Sequence, residues 1–576
     1  MSRKPNIVLV LTDDQGYGDL GCHGNPILRT PHMDALHGVS FRLTNYHVGP
    51  TCAPTRAGLY TGHYHNSTGV WHTIGGRSLL RRDEWSLADA LSAAGYATGL
   101  FGKWHLGDAY PYRPEDRGFQ EVVTHGGGGV GNTPDYWGNA YRDDHYRRNG
   151  EWVPYTGYCT DVWFGEALGF IDRHRDGPFF CCITTNAPHS PYIVDPAYAA
   201  PYIGRVEHAE RTNFYGMIAC IDDNLGALRR RLEAWGLAED TLLIFMTDNG
   251  TSGGATPGPD GHIVAGYNAG MRGIKGSEYE GGHRVPCFLH WPAGGIVGGR
   301  DVPQLAANVD IMPTLLDLCG VDAGTHAFDG RSLAPLLRGE TSDWPDRIVI
   351  TDSQRIARPC KWRKSATMTE RWRLVNGTEL YDILADPGQR HDVAAAHPEV
   401  VDRLRAGYEA WWDKVSCQFD GTIPIPVGTV PGETTLLNAH DWRNDPVDCV
   451  WNQSLVREGL QANGYWEVEA AAPGRYRLEL RRWPREENRA MSEGIPGAVT
   501  PYNDLARGYG GGRALGLVSA RLRIGERTLE VPIPAEAHCV AFDVDLPAGE
   551  TEVQTYLYDA HGAEWGAYYV YVSREA

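Results

Sequence analysis

The sequence predicts an α/β protein with a mainly parallel sheet, a small antiparallel C-terminal subdomain and an added all-β domain. Two observations predict the parallel sheet. Amphipathic segments of helical length, such as Asp161–His174, separate short apolar runs. These runs are rich in β-branched residues and suit strands buried on both faces, and they are Asn6–Leu11, Pro178–Thr185 and Thr241–Met246.

The remaining chain changes pattern twice, which predicts two further units. Short alternating segments begin near residue 347 and include a Gly377 turn, and longer alternating segments follow residue 464. We therefore expect an α/β domain at 1–345, an antiparallel subdomain at 346–420, and a linker with a β-sandwich at 421–576.

Composition restricts the partners and the compartment. The net charge of −19 weighs against nucleic acid or an anionic membrane surface as a partner. No apolar run approaches the roughly 20 residues that cross a bilayer. The apolar run of six near the N-terminus is followed by Asp13 and Asp14, where a signal peptide would have small residues at its cleavage site. The 12 cysteines are scattered, without a C-x-x-C pair, which argues against structural zinc or a disulfide framework. We expect a cytoplasmic protein.

Polar residues follow two of the predicted buried strands directly. Asp13 and Asp14 come after the first strand, and Asp248 and Asn249 come after the strand that ends at Met246. A single Asp in such a place is more often a turn or helix cap. Ligands of open α/β sheets bind at the carboxyl ends of strands, and oxygen donors suit calcium or magnesium better than zinc. The two pairs therefore predict one cation site.

Basic residues follow other strands. Lys103 and His105 are two residues apart in an extended segment, so both can face one anion, although each alone suits a solvated loop. His189 lies between two prolines that restrict the backbone, which also suits an ordinary turn. A glycine-rich loop, residues 125–139, lacks the lysine pattern of a phosphate-binding loop, and we expect it on the substrate side.

Cys52 begins the segment CAPTRAGLYTG. Pro54 predicts that a helix starts after Cys52, which places the cysteine near a helix N-terminus that favours anions. The segment resembles the C-x-P-x-R signature of the type I sulfatases, in the alkaline phosphatase superfamily. GKWHLG at 102–107, PHSP at 188–191 and TDNG at 247–250 also resemble motifs of this family. The resemblance covers about residues 4–415, and Thr55 replaces the commoner Ser.

The resemblance implies the chemistry. In that family a maturation enzyme, the formylglycine-generating enzyme, oxidises the cysteine to formylglycine, and the hydrated aldehyde is the nucleophile. The residues implied to bind a divalent cation are Asp13, Asp14, Cys52, Asp248 and Asn249. The residues implied to act on the sulfate ester are Cys52, Arg56, Lys103, His105 as base, His189 and Lys275.

The expected activity is therefore hydrolysis of a small sulfate monoester, as by an arylsulfatase. Calcium is the first expectation for the cation, with manganese and magnesium as alternatives. A phosphonate monoester or phosphodiester hydrolase with the same nucleophile is the alternative enzyme, and a non-catalytic binding protein is the third reading. A monomer and a homo-oligomer both remain open.

Aromatic residues leave the substrate pocket and the last domain open. The candidate pocket walls are Trp71, Tyr112, Tyr136 and Trp137. We expect the β-sandwich at 421–576 to cover the α/β domain or to join subunits. Exposed tryptophans would instead indicate a carbohydrate-binding module. The tryptophans that suggest it are Trp466, Trp483 and Trp565.

Overall fold

A 10-stranded mixed sheet is formed by strands between residues 6 and 302 of the protein. The computed structural model describes residues 4–341, 343–444, 448–497 and 510–575. The strands up to residue 307 are β1 Asn6–Thr12, β2 Phe41–Leu43, β3 Tyr46–His47, β4 Ala97–Gly102, β5 Glu121–Thr124, β6 His145–Arg148, β7 Glu151–Pro154, β8 Phe179–Thr184, β9 Thr241–Thr247, β10 Ala255–Pro257, β11 Ile263–Gly266, β12 Cys287–His290, β13 Asp301–Val302 and β14 Ala306–Ala307.

The centre of this sheet is parallel, as the sequence predicts. Its order is β13-β2-β12-β9-β1-β8-β4-β5-β6-β7. The neighbours β9, β1, β8, β4 and β5 all run parallel, whereas β12, β6 and β7 pair antiparallel with their neighbours. The carboxyl ends of β1, β4, β8 and β9 therefore lie along one edge of the sheet.

Helices cover both faces of the sheet and bury two apolar cores. The helices are α1 Pro31–Val39, α2 Cys52–Thr61, α3 Leu87–Ala93, α4 Cys159–His174, α5 Pro196–Ala199, α6 Ala209–Ala234, α7 Glu280–His283, α8 Ile311–Leu318, α9 Ala334–Leu337, α10 Pro398–Ser416 and α11 Gln453–Glu458. Ser86 caps α3, because its side chain accepts a hydrogen bond from Asp89 N–H. Within the described ranges, no helix combines the length and the apolar composition that crossing a bilayer demands.

A four-stranded antiparallel sheet and α10 form the predicted subdomain. Its strands are β15 Val349–Asp352, β16 Ser365–Met368, β17 Trp372–Val375 and β18 Glu379–Asp382. Gly377, with a φ of 70°, lies in the turn between β17 and β18, as expected of a hairpin glycine. Apolar residues of α10, including Val401 and Leu404, pack on Trp372 and Leu374 of the sheet.

The C-terminal β domain, residues 421–576, contains two sheets that pack face to face. Its strands are β19 Ile425–Val427, β20 Thr434–Asn438, β21 Tyr465–Ala470, β22 Gly474–Arg481, β23 Leu517–Ile524, β24 Arg527–Pro532, β25 Val540–Leu546, β26 Gly549–Asp559, β27 Glu564–Trp565 and β28 Tyr569–Arg574. Trp466, Trp483 and Trp565 are all buried in its core. These three side chains are therefore not exposed to contact a sugar. They do not support the interpretation of this domain as a carbohydrate-binding module. The exact boundaries of the three domains remain predictions.

A buried ion pair joins the subdomain to the α/β domain. Arg373 of β17 and Glu280 of α7 are both fully buried, with Nε 2.6 Å from Oε1. Arg373 Nη2 also donates to Asn45 Oδ1 at 2.7 Å. Burial would raise the pKa of Glu280, but the Arg373 charge holds it well below its usual value.

We predict that Arg373→Met lowers the free energy of unfolding by about 3–5 kcal/mol, because it leaves the Glu280 carboxylate buried without its partner. Arg371→Met is the matched control, since Arg371 pairs with Asp382 at the surface. The control is expected to unfold at nearly the same urea concentration as the wild type. Equal effects of the two substitutions in urea unfolding would contradict the importance of the buried pair.

Candidate active site

The ends of β1 and β9 bring the two polar pairs together, as the sequence predicts. The strands are parallel neighbours with Thr12 opposite Thr247, so Asp13 and Asp248 follow at matching positions. Asp14 N–H donates to Asp248 Oδ1 at 3.1 Å, and Asn249 Nδ2 donates to Asp14 Oδ1 at 2.9 Å. All four side chains are buried.

Cys52 is the first residue of α2, so the prediction that Pro54 keeps it outside the helix is wrong. The first N–H groups of a helix have no intrahelical acceptor, and a proline in the first turn therefore costs no hydrogen bond. Arg56 follows one turn later and is fully buried. Its Nη2 donates to Asp248 Oδ2 at 2.8 Å, and its Nη1 donates to the Lys103 carbonyl at 2.7 Å.

Lys103 is a buried cation rather than a solvated surface lysine. It follows β4, and its backbone N–H donates to the Thr184 carbonyl of the neighbouring β8 at 2.6 Å. Its Nζ donates to Asp13 Oδ2 at 2.7 Å, and both side chains have no exposed surface. The two parallel strands therefore aim the lysine at the carboxylates.

His105 is oriented towards Cys52 by a backbone carbonyl. Its Nε2 lies 2.8 Å from the Thr73 carbonyl, which can only accept, so the proton is on Nε2. Its Nδ1 lies 3.3 Å from Cys52 Sγ and keeps its lone pair. Burial and then the Lys103 charge hold the pKa of His105 well below its usual value. Sequence reasoning missed Thr73, since its contribution is a carbonyl that every residue type carries.

His189 and Lys275 lie on the more open side of the site. Their side chains are 20% and 17% exposed. Lys275 Nζ lies 2.6 Å from Asp14 Oδ1, and His189 Nε2 lies 3.6 Å from Asp14 Oδ2. Burial and then the Lys275 charge lower the pKa of His189 to about 4. Burial would raise the pKa of Asp14, but Lys275 and His189 hold it below its usual value.

The donor set fits a hard divalent cation. Asp13, Cys52 and Asp248 each offer one ligand atom, and these atoms lie within 4.8 Å of one another. Asp13 Oδ1 and Asn249 Oδ1 are buried and have no hydrogen-bond partner in the part of the chain that the structure describes. Burial raises the pKa of Asp13, and burial with the Asp13 charge raises the pKa of Asp248 to about 7. Carboxylate and amide oxygens are the ligands that calcium prefers, whereas the Cys52 sulfur suits softer metals, so the fit to calcium rests on the Asp and Asn oxygens.

The glycine-rich loop covers the two histidines. A Cβ at Gly128 would lie 2.4 Å from His105 Cε1, and a Cβ at Gly129 would lie 3.9 Å from His189 Nδ1. Only glycine fits against the His105 ring at this distance. The loop therefore lies against the site, and its position on the substrate side remains a prediction.

The candidate pocket walls have different surroundings. Trp71, Tyr112 and Trp137 are buried, and Tyr112 and Trp137 belong to the core of the C-terminal β domain. Tyr136 stacks on His145, with ring centroids 4.1 Å apart. These contacts assign Tyr112 and Trp137 to packing between domains.

The comparisons with known proteins agree with this geometry. The family model described as sulfatase matches residues 5–321, more than half of the chain. The chain belongs to the sulfatase family. A second model, described as N-sulphoglucosamine sulphohydrolase, C-terminal, matches residues 275–409 of this sulfatase. The C-terminal β domain lies beyond both matches.

Curated relatives of this sulfatase are enzymes that act on sulfate esters. Arylsulfatase A of Homo sapiens is 30% identical over 463 residues, which cover 70% of this chain and 87% of that protein. N-acetylgalactosamine-6-sulfatase of Homo sapiens is 32% identical over 378 residues, which cover 60% of this chain and 68% of that protein. The protein is therefore a sulfatase, an enzyme that hydrolyses sulfate esters.

Solved structures share the fold of this sulfatase. Ps i-CgsB in complex with k-i-k-neocarrahexaose superimposes with a TM-score of 0.63 at 28% identity, covering 73% of this chain and 96% of that chain. PsFucS1 sulfatase from Pseudoalteromonas sp. gives a TM-score of 0.59 at 23% identity, covering 73% and 92% of the two chains. The α/β architecture is thus that of other sulfatases.

We predict that calcium stabilises the native protein through the Asp13 site. Free calcium at about 100 times its dissociation constant raises the free energy of unfolding by about 2.7 kcal/mol. Calorimetry with calcium and with a chelator measures the shift in Tm, which Asp13→Asn is expected to reduce. Asp322→Asn, at an exposed turn, is the matched control and should keep the full shift. An equal shift in both variants would mean that calcium binds elsewhere.

Proposed function

We propose that this sulfatase uses Cys52, converted to formylglycine, as its nucleophile, together with one divalent cation, calcium first. The position of Cys52 carries the proposal. Its Sγ lies at the N-terminal end of α2, 3.3 Å from His105 Nδ1 and in one cluster with Asp13 and Asp248. A side chain at this point meets a base, a cation site and a helix N-terminus together.

The charges around Cys52 suit an anionic substrate. Three carboxylates, from Asp13, Asp14 and Asp248, face three basic side chains, listed here as Arg56, Lys103 and Lys275. The formylglycine hydrate would supply a hydroxyl. The cation would activate this hydroxyl and add positive charge to the three balanced pairs. Arg56 and Lys103 are held rigidly by buried partners, so they can stabilise charge on the sulfate oxygens without reorganising.

His105 has the geometry of a base at the nucleophile. Because its Nε2 proton is committed to the Thr73 carbonyl, its Nδ1 lone pair points towards the side chain at position 52. We assign it the removal of a proton from the hydroxyl at this position. Loss of this proton would let the C–O bond to the transferred sulfate break, so that sulfate leaves with the bonding electrons and the aldehyde is regenerated.

His189 and Lys275 suit the leaving-group side. Their side chains are the most exposed among the proposed catalytic residues, so the alcohol half of the ester would enter past them. Lys275 carries a proton, because the carboxylate of Asp14 raises its pKa against the effect of burial. We assign these two residues to protonating or stabilising the leaving oxygen.

The substrate class is a sulfate monoester of a phenol, alcohol or sugar. The curated relatives described above are all sulfatases, with an aryl and an amino-sugar substrate in their names. This agreement favours sulfate over phosphonate as the group transferred.

We predict that Cys52→Ala and Cys52→Ser each lower kcat/KM for 4-nitrophenyl sulfate by at least about 10³-fold in protein coproduced with a formylglycine-generating enzyme. Serine fails because it has one hydroxyl, whereas the aldehyde hydrate has two. Cys417→Ala is the matched control, since Cys417 is an exposed free thiol at the end of α10. Full activity of Cys52→Ser would show that formylglycine chemistry is not used.

A further inference from the structure

The C-terminal β domain shares its apolar core with the α/β domain. Leu79, Tyr112 and Trp137 of the α/β domain lie in the same buried cluster as Trp466 and Trp483. Trp137 meets Trp483 edge to face, with ring centroids 5.3 Å apart. A domain seated in this way cannot move away from the α/β domain without exposing large aromatic side chains.

Gln453, the first residue of α11, connects this domain to the glycine-rich loop. The side chain is fully buried. Its Nε2 lies within 3.1–3.2 Å of three loop carbonyls, which belong to Asn132, Asp135 and Tyr136. Its Oε1 accepts from Gly138 N–H at 3.0 Å, and its backbone N–H donates to the Gly131 carbonyl at 3.0 Å.

The loop residues that Gln453 holds lead directly to His105. Asn132, whose carbonyl accepts from Gln453, uses its own Oδ1 to accept from Gly128 N–H at 3.0 Å. Gly128 in turn lies against the His105 ring, at a distance that excludes a Cβ. Two further contacts fix the same loop, because Thr133 donates to the Trp451 carbonyl and to the Val450 carbonyl at 3.0 and 2.6 Å.

The C-terminal β domain also holds the carbonyl that orients His105. Gly75 N–H donates to the His440 carbonyl at 2.8 Å, two residues after Thr73. A Cβ at Gly76 would lie 2.7 Å from the Asp441 carbonyl. The His440 ring itself lies 6.2 Å from the His105 ring, and its Nε2 is buried without a hydrogen-bond partner among residues that the structure describes. The domain therefore reaches His105 from two directions.

We propose that Gln453 is a positioning residue of the active site, through which the C-terminal β domain holds the glycine-rich loop against His105 and His189. In this proposal the C-terminal β domain helps to position the active-site histidines and is not an accessory module. This inference rests on the roles proposed above for the two histidines. Both family matches end before residue 421, so neither of them assigns this function.

The chemistry of the side chain explains why glutamine is needed. The amide has two N–H donors, which the three carbonyls share, and an oxygen that accepts from Gly138 at the same time. Leucine has nearly the same volume but removes the acceptor of Gly138 N–H and the donors to the three loop carbonyls. Asparagine keeps the amide but is one methylene shorter, so it cannot reach both sides of the loop.

The test compares Gln453→Leu and Gln453→Asn with the wild type in the full chain, matured with the formylglycine-generating enzyme and supplied with calcium. Gln461→Ala is the control, because Gln461 is exposed in the same domain. Steady-state hydrolysis of 4-nitrophenyl sulfate gives kcat and KM. Hydrogen exchange followed by mass spectrometry measures the glycine-rich loop directly, without relying on activity.

We expect both Gln453 variants to lose about tenfold or more in kcat, with KM changed by less than about threefold, because the histidines lose their geometry while the substrate still binds. Amides of residues 125–139 should exchange faster, while those of β1, β8 and β9 stay protected. Unchanged kcat in both variants would overturn the proposal. A uniform rise in exchange across the protein would also overturn it, since this result indicates a purely structural role. If the wild type and Gln461→Ala are themselves inactive, the proposed catalytic function fails instead, and the exchange data still report on the loop.

Discussion

Charge buried at the carboxyl ends of β1 and β9 constrains the rest of the structure. Asp13, Asp14 and Asp248 meet there because the two strands are parallel and in register. Carboxylates in such a place need positive charge, and Arg56 and Lys103 supply it from α2 and from the end of β4. The arrangement of the central strands and the position of α2 therefore depend on one another through these ion pairs.

The site has two sides that differ in their exposure to solvent. The side of Cys52 and His105 is closed by the glycine-rich loop and by the C-terminal β domain. The side of His189 and Lys275 retains exposed surface. In the proposed mechanism, the closed side would protect the group at position 52 from bulk water, and the open side would admit the ester.

The central strands and the acidic residues at their ends could be predicted from sequence because their signals are local, whereas Arg56, Lys103 and Lys275 were predicted only through the resemblance to the family. An apolar, β-branched run followed by acidic residues predicts a buried strand. It also predicts that a ligand binds at the end of the strand where the acidic residues lie. The start of α2 was misplaced, since Pro54 is harmless in a first turn. Thr73 and Gln453 carry no local signal. Thr73 contacts His105 through its own backbone carbonyl. Gln453 donates from its side chain to loop carbonyls, including that of Asn132, which lies 321 residues earlier in the sequence.

The mass of the tryptic peptide Leu43–Arg56 tests the central claim most directly. The measurement uses protein coproduced with a formylglycine-generating enzyme and shown to hydrolyse a sulfate ester, before and after alkylation. We expect Cys52 to be replaced by an aldehyde or its hydrate, which does not react with the alkylating agent. A free, alkylatable Cys52 thiol in fully active protein would contradict it, because the proposed nucleophile would then be absent.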